Sequence, residues 1–188
     1  DHLHTAGDLF TRDGRAINRG VWERDDGQYD RQEEVFSACG GSSVYRRTLL
    51  EQIGLLDEDF FFALEDVDIG WRARLAGWRC LYTPDALVYH HLSATGGGVT
   101  ASFYVGRNSI YLLVKDYPLW NRYAGQVIRA QAQIAWEAVR AWRGEAARAR
   151  LRGMWAGLCG IPFMLRKRRT VMAARTLTDD QIDALLAP

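Results

Sequence analysis

Leu56-Asp57-Glu58-Asp59-Phe60-Phe61-Phe62-Ala63-Leu64-Glu65-Asp66-Val67-Asp68-Ile69-Gly70-Trp71-Arg72 is the stretch from which the rest of the chain is read. Three aromatics run directly into a cluster of carboxylates. From there Val67, Trp71 and Leu75 recur at i, i+4 and i+8, a spacing that gathers them on one face of a helix. Glu65, Asp66 and Asp68 fall in the first turn of that helix, where the macrodipole favours negative charge. Such residues serve as ordinary capping groups. The run of Phe60, Phe61 and Phe62 adds a second reading. An apolar wall beside a carboxylate excludes water and keeps a base poised near a bound hydroxyl.

Working outward, Gly77 stops this helix, Trp78 to Tyr82 reads as a strand ended by Pro84, and Ala86 to Tyr89 reads as a second short strand delivering His90 and His91. Strand ends in α/β folds are where sites are built. On the N-terminal side, residues 47–53 form a short helix stopped by Gly54. Residues 35–45 read as a strand interrupted by Gly40 and Gly41. That pair is either a packing point or a place where backbone approaches a ligand. Residues 1–34, punctuated by glycines, give short strands and turns. The abrupt Asp1-His2-Leu3-His4 start suggests a piece of something longer. From Val99 the pattern is helical almost to the end, and Thr178-Asp179-Asp180-Gln181 spells a capping box.

The net charge of +1 hides a split: residues 1–70 hold 16 acidic and 7 basic side chains, and the remainder 7 and 17. Such a division suggests an acidic part that handles a cation or polar substrate and a basic part that meets an anionic surface. Residues 140–175 carry ten basic side chains and one acidic, interleaved with Trp142, Met154, Trp155, Phe163 and Met164. This composition suits an anionic membrane interface. No nucleic-acid motif accompanies it. The uncharged run 153–165 is too short to span a bilayer, which needs roughly 20 residues. Cys39, Cys80 and Cys159 form no CxxC pair, which fits a reducing compartment and no zinc site.

The order Gly54-x-x-Asp57-Glu58-x-Phe60-Phe61, Glu65-Asp66-x-Asp68-x-x-x-Arg72-x-x-x-x-Gly77-Trp78, Pro84-x-Ala86-x-x-x-His90 resembles the family 2 inverting glycosyltransferases, and most of all bacterial rhamnosyltransferase-type enzymes of surface-polysaccharide synthesis. Arg107-Asn108, with Lys115 and Pro118 after it, resembles the helix that follows in those proteins. The resemblance runs over about residues 5–175, and in the tail it is compositional. It implies a GT-A fold, a nucleotide-sugar donor, a saccharide or lipid-linked acceptor and a divalent cation, Mg or Mn. Asp66 takes the position of the general base. Glu65 and Asp68 would orient it or bind acceptor hydroxyls, Gly40 and Gly41 match the small-residue strand bordering the sugar site, and His90 matches the metal-holding histidine.

The resemblance also implies an N-terminal α/β half carrying an Asp-x-Asp, which this sequence does not spell in that context. The expected fold is therefore α/β: the acceptor-side half of a GT-A glycosyltransferase in residues 1–115, followed by a basic, amphipathic helical tail in residues 116–188. A chain so built is expected to self-associate or pair with the missing half, at the cytoplasmic face of a membrane. The alternative is a non-catalytic membrane-docking or partner-binding module.

Overall fold

The computed structural model describes residues 2–89 and 97–188. In chain order its elements are β1 (Asp8–Phe10), β2 (Ala16–Asn18), β3 (Glu33–Val35), a 3-10 turn (Gly40–Ser42), α1 (Arg47–Ile53), α2 (Glu65–Leu75), β4 (Cys80–Tyr82), α3 (Gly98–Lys115), α4 (Trp120–Arg140), α5 (Glu145–Cys159), α6 (Ile161–Ala173) and α7 (Asp179–Asp183). The mixed α/β class is as expected, but helices dominate. β1 pairs antiparallel with β2, Leu9 opposite Ile17, and β3 with β4, Glu34 opposite Leu81. Among the described residues there is no larger sheet.

Two expected strands differ. The strand of residues 35–45 ends at Val35, and the chain then turns through Gly40–Ser42. The segment at Ala86 to Tyr89 is irregular: among the described residues no strand pairs with it, and Tyr89 stands out in solvent. A β ladder needs a partner for its N–H and C=O groups, and alternating side chains alone do not supply one.

The face of α2 carrying Val67, Trp71 and Leu75 is buried, as its period requires. Trp71 meets Phe10, Phe36 and Tyr117 edge-on, with ring centroids 4.9, 4.8 and 5.8 Å apart. Arg74 reaches the other way, donating to the carbonyls of Phe36 and Val35, so α2 also holds the end of β3.

The helical tail is not an appendage. Val127, Val171, Ile182 and Leu186 join Phe10, Phe36, Phe60 and Trp71 in one hydrophobic cluster. Backbone hydrogen bonds cross the same boundary: Ala187 N–H donates to Phe10 O at 2.9 Å, and Thr176 N–H to Leu75 O at 2.8 Å. The expected division at residue 115 therefore falls within continuous packing. The capping box at Thr178 is formed in both directions.

α3 and α5 touch backbone to backbone. Ala149, Gly153 and Gly157 repeat at i, i+4 and i+8 and are all buried. A Cβ on Gly153 would lie 2.0 Å from the Phe103 carbonyl oxygen, and one on Gly157 would lie 2.9 Å from that of Arg107. Gly153→Ala should therefore destabilise the protein by about 1–3 kcal/mol, the usual cost of overpacking. Gly125→Ala, on α4 with nothing within 4 Å, should instead stabilise it by up to about 1 kcal/mol through helix propensity. Urea unfolding of both variants checks this, and equal behaviour of the two would remove the close crossing from the account.

Candidate active site

Asp66 is the second residue of α2 and is half-buried. Its Oδ2 accepts the Gly40 N–H at 2.8 Å, and its Oδ1 accepts the Val67 N–H at 2.8 Å. The Gly40 contact ties the helix start to the 3-10 turn. A Cβ at Gly40 would lie 3.4 Å from the Asp66 carboxylate, whereas around Gly41 there is open space. Glu65 lies beside Asp66, and burial, with the Asp66 charge adding to it, pushes its carboxyl above the usual range. Glu65, Asp66, Gly40 and Gly41 are thus brought to one place. A cavity of about 610 Å³ adjoins the turn, reaching Cys39, Gly41 and Ser42; Asp66 itself is not among its walls.

Asp68 sits elsewhere. It is fully buried, its Oδ2 accepts from Arg72 Nε and Nη2 at 3.0 and 2.8 Å, and its Oδ1 is held by Lys115. Of its two expected roles, orienting Asp66 or binding acceptor hydroxyls, the second does not suit so buried a carboxylate, which is an internal counter-ion to Arg72 and Lys115. His90 lies outside the described residues. Among the described residues no group of three or more His, Cys, Asp or Glu side chains could hold a metal ion, so these residues do not form a metal site by themselves.

The expected wall of phenylalanines is divided. Phe60 is buried beneath α3, Phe61 is largely exposed, and both Phe61 and Phe62 lean on Tyr104, with centroids 5.3 and 6.0 Å away. The division follows from the backbone, because Phe61, Ala63 and Leu64 have φ of 56°, 62° and 67°. The left-handed region costs a non-glycine residue roughly 1–2 kcal/mol, so this path needs outside support.

That support comes from side chains of other elements. Asn108 Nδ2 donates to the carbonyls of Phe60, Phe62 and Ala63 at 2.9, 2.9 and 2.7 Å. Arg107 Nη2 donates to Asp59 O at 2.6 Å and Phe60 O at 3.0 Å, and Arg72 donates to Ile53 O and Leu55 O at 2.7 and 2.8 Å. Lys115 and Lys167 each bond Asp57, at 2.5 Å. Burial alone would raise the Asp57 carboxyl, but these two ammonium groups outweigh it and hold the pKa down to about 2. Asp116 is fully buried beside Asp68. Burial first, then the Asp68 charge, push its carboxyl well above the usual range.

Asp8, on β1, was not singled out by the sequence, where it is one acid in a polar segment. It is buried, with Thr5 Oγ1 donating to Oδ1 at 3.3 Å and Ser37 Oγ approaching Oδ2 at 3.5 Å. Burial, and after it the charge of Asp66, raise its pKa to about 7 against these hydrogen bonds. The folded state therefore keeps a proton on Asp8 that the unfolded chain loses near pH 3.8. The associated stability is complete below that pH and is lost as pH rises to about 7, by up to about 1.4 kcal/mol per unit. Asp8→Asn should remove this part of the slope: relative to wild type, the variant should gain stability between pH 4.5 and 7.5 in urea titrations. Parallel profiles for the two proteins would mean that Asp8 ionises normally.

Residues 15–104 match the family model described as "Glycosyltransferase like family 2". The chain is similar to the N-acetylglucosaminyl-diphospho-decaprenol L-rhamnosyltransferases of two Mycobacterium tuberculosis strains, CDC 1551 and H37Rv. Each is 37% identical over 78 residues, which is 41% of this chain and 25% of the relative. The chain thus spans about a quarter of the length of these relatives. No solved structure matches it. The matched stretch contains Gly40, Gly41, Glu65 and Asp66, and by these comparisons residues 15–104 are similar to a glycosyltransferase family 2 segment.

Proposed function

We propose that this chain contributes the acceptor side of a glycosyltransferase that moves a sugar from a nucleotide-sugar donor to a hydroxyl of a saccharide or lipid-linked acceptor, with inversion, in surface-polysaccharide synthesis. The observation that carries the proposal is the placement of Asp66. Its carboxylate is held by two backbone N–H groups at a helix start, one of them from Gly40, whose neighbours Cys39 and Gly41 border a cavity. A sugar hydroxyl is a poor nucleophile. Asp66 takes its proton as the oxygen attacks the anomeric carbon, and the bond to the nucleoside diphosphate breaks on the opposite face. Glu65 lies beside the base, and the Gly40–Gly41 backbone borders the sugar. A divalent cation, Mg or Mn, with His90 as one ligand, would stabilise the leaving diphosphate. The names of the two mycobacterial relatives support a sugar-diphosphate-lipid as acceptor class.

Asp66→Asn in the full-length gene product should lower transfer on the order of 10²–10⁴-fold while leaving the fold intact, read as released nucleoside diphosphate. A loss below tenfold would exclude Asp66 as the base.

A lipid-linked acceptor calls for docking at the inner face of the cytoplasmic membrane, and the surface of the helical region supports it. Trp136, Trp142, Trp155, Phe163 and Leu165 are exposed, as are Arg140, Arg143, Arg148, Arg152, Arg166 and Arg169. Such a surface suits partial insertion of aromatics among anionic headgroups. Among the described residues no helix is long and apolar enough to cross a membrane. Deleting residues 140–175 is not a usable test, because Ala149, Met164 and Val171 are part of the buried interior. The double variant Trp142→Ser, Trp155→Ser should instead fold normally and cosediment several-fold less with anionic vesicles. Undiminished binding would sink the docking surface.

A further inference from the structure

We propose that Asn108, oriented by Arg107, is a positioning residue that sets the Asp66 carboxylate through the backbone of residues 60–64. The inference rests on the reading of Asp66 as the base. Asn108 is fully buried in the middle of α3. Its Oδ1 accepts from Arg107 Nε at 2.9 Å. A guanidinium has only donors, so this contact directs the amide nitrogen to the other side. There Nδ2 meets three carbonyls, those of Phe60, Phe62 and Ala63, with two hydrogens to share among them. Arg107 is itself held between Tyr104 and Tyr111, its guanidinium carbon 4.8 and 5.1 Å from the ring centres.

The clamped carbonyls flank the residues with left-handed backbone, Phe61, Ala63 and Leu64. Leu64 is the N-cap of α2, and leucine offers no oxygen to cap it, so the side chain at this position does not fix the helix start. The direction of the first turn is instead inherited from the loop. Asp68 N–H closes back on Leu64 O at 3.0 Å, and Asp66 lies between them, aimed at Gly40. Releasing the carbonyls lets residues 61–64 leave the left-handed region, which rotates the first turn and moves the base. Asn108 touches no reacting atom; it acts through this path.

The test compares Asn108→Asp, Asn108→Ala and the double variant Asn108→Ala, Ala63→Gly. Asp keeps the size and presents only acceptors to the three carbonyls. The Ala63→Gly change admits positive φ without a side-chain penalty. Two readouts are taken. The first is amide hydrogen exchange of residues 60–67 in this chain, with the urea midpoint measured alongside. The second is steady-state transfer by the full-length gene product. Exchange at 60–67 should rise at least tenfold in Asn108→Asp and Asn108→Ala while α4 exchange is unchanged. In transfer, kcat should fall on the order of 10²-fold with acceptor KM little changed, as for a misplaced group. Adding Ala63→Gly should recover part of both losses. If the Asp and Ala forms do not fold, Asn108→Ser, which keeps one donor, should show the same rise in exchange. Unchanged exchange, an effect on KM alone, or no recovery on adding Ala63→Gly would overturn the proposal. The exchange result stands apart from the chemistry: if Asp66→Asn retained transfer while Asn108→Asp still loosened residues 60–67, the base assignment would fail and the clamp would stand.

Discussion

The carbonyls of Ile53, Leu55, Asp59, Phe60, Phe62 and Ala63 accept from side chains of α2 and α3, and the path of the loop depends on that constraint. Irregular, partly left-handed backbone pairs only some of its polar groups locally, as in Phe60 N–H to Asp57 O and Phe61 N–H to Glu58 O, and leaving the rest unpaired away from water is expensive. Arg72 of α2 takes the carbonyls of Ile53 and Leu55, Arg107 of α3 takes those of Asp59 and Phe60, and Asn108 takes those of Phe60, Phe62 and Ala63. Lys115 lies seven residues beyond Asn108, two turns along the same face of α3, and bonds Asp57 and Asp68. One helix face thus fixes both the entry of the loop and its exit into α2.

The same arrangement gives a different meaning to the charge asymmetry of the sequence. An acidic first part and a basic second part suggest two separate tasks. Much of the opposition is resolved inside one molecule. Lys115 and Lys167 neutralise Asp57, Lys167 also meets Asp59, and at the far end Arg12 and Arg122 share Asp183. Arg168 is spent on the carbonyls of Val114 and Tyr117. The surface left for an anionic partner is therefore narrower than composition implies, and consists of the exposed arginines on α4, α5 and α6 and in the turn between α4 and α5. Within the buried cluster the acids differ: two ammonium groups hold the Asp57 carboxyl down, while burial and the Asp68 charge push that of Asp116 up. A buried carboxyl beside a charged one is disfavoured in its ionised form by both desolvation and repulsion.

Several features were legible in the sequence because each rests on local physics. The helical period of Val67, Trp71 and Leu75, the glycine stop at Gly77, the capping box at Thr178 and the gathering of Glu65 and Asp66 in a first turn involve only neighbours within a few residues. The family resemblance was legible for the same reason, since its pattern runs within one short span, Gly54 to His90. What the sequence left open were matters of partnership. Gly40 and Asp66 are 26 residues apart and meet only because Gly70 lets α2 approach Ser37, a Cβ there lying 2.4 Å from Ser37 Cβ. The segment at Ala86 to Tyr89 has strand-like residues and no strand beside it among those described. Asp68 carries the same side chain as Asp66, two residues away, yet helical rotation turns one toward Lys115 in the interior and the other toward the turn at Gly40. The sequence by itself determined which residues are acidic, apolar or small and where helices begin and stop. Only the tertiary structure decided which carboxylate is buried and neutralised and which meets the turn at Gly40, because burial and charge pairing depend on groups brought together from distant parts of the chain.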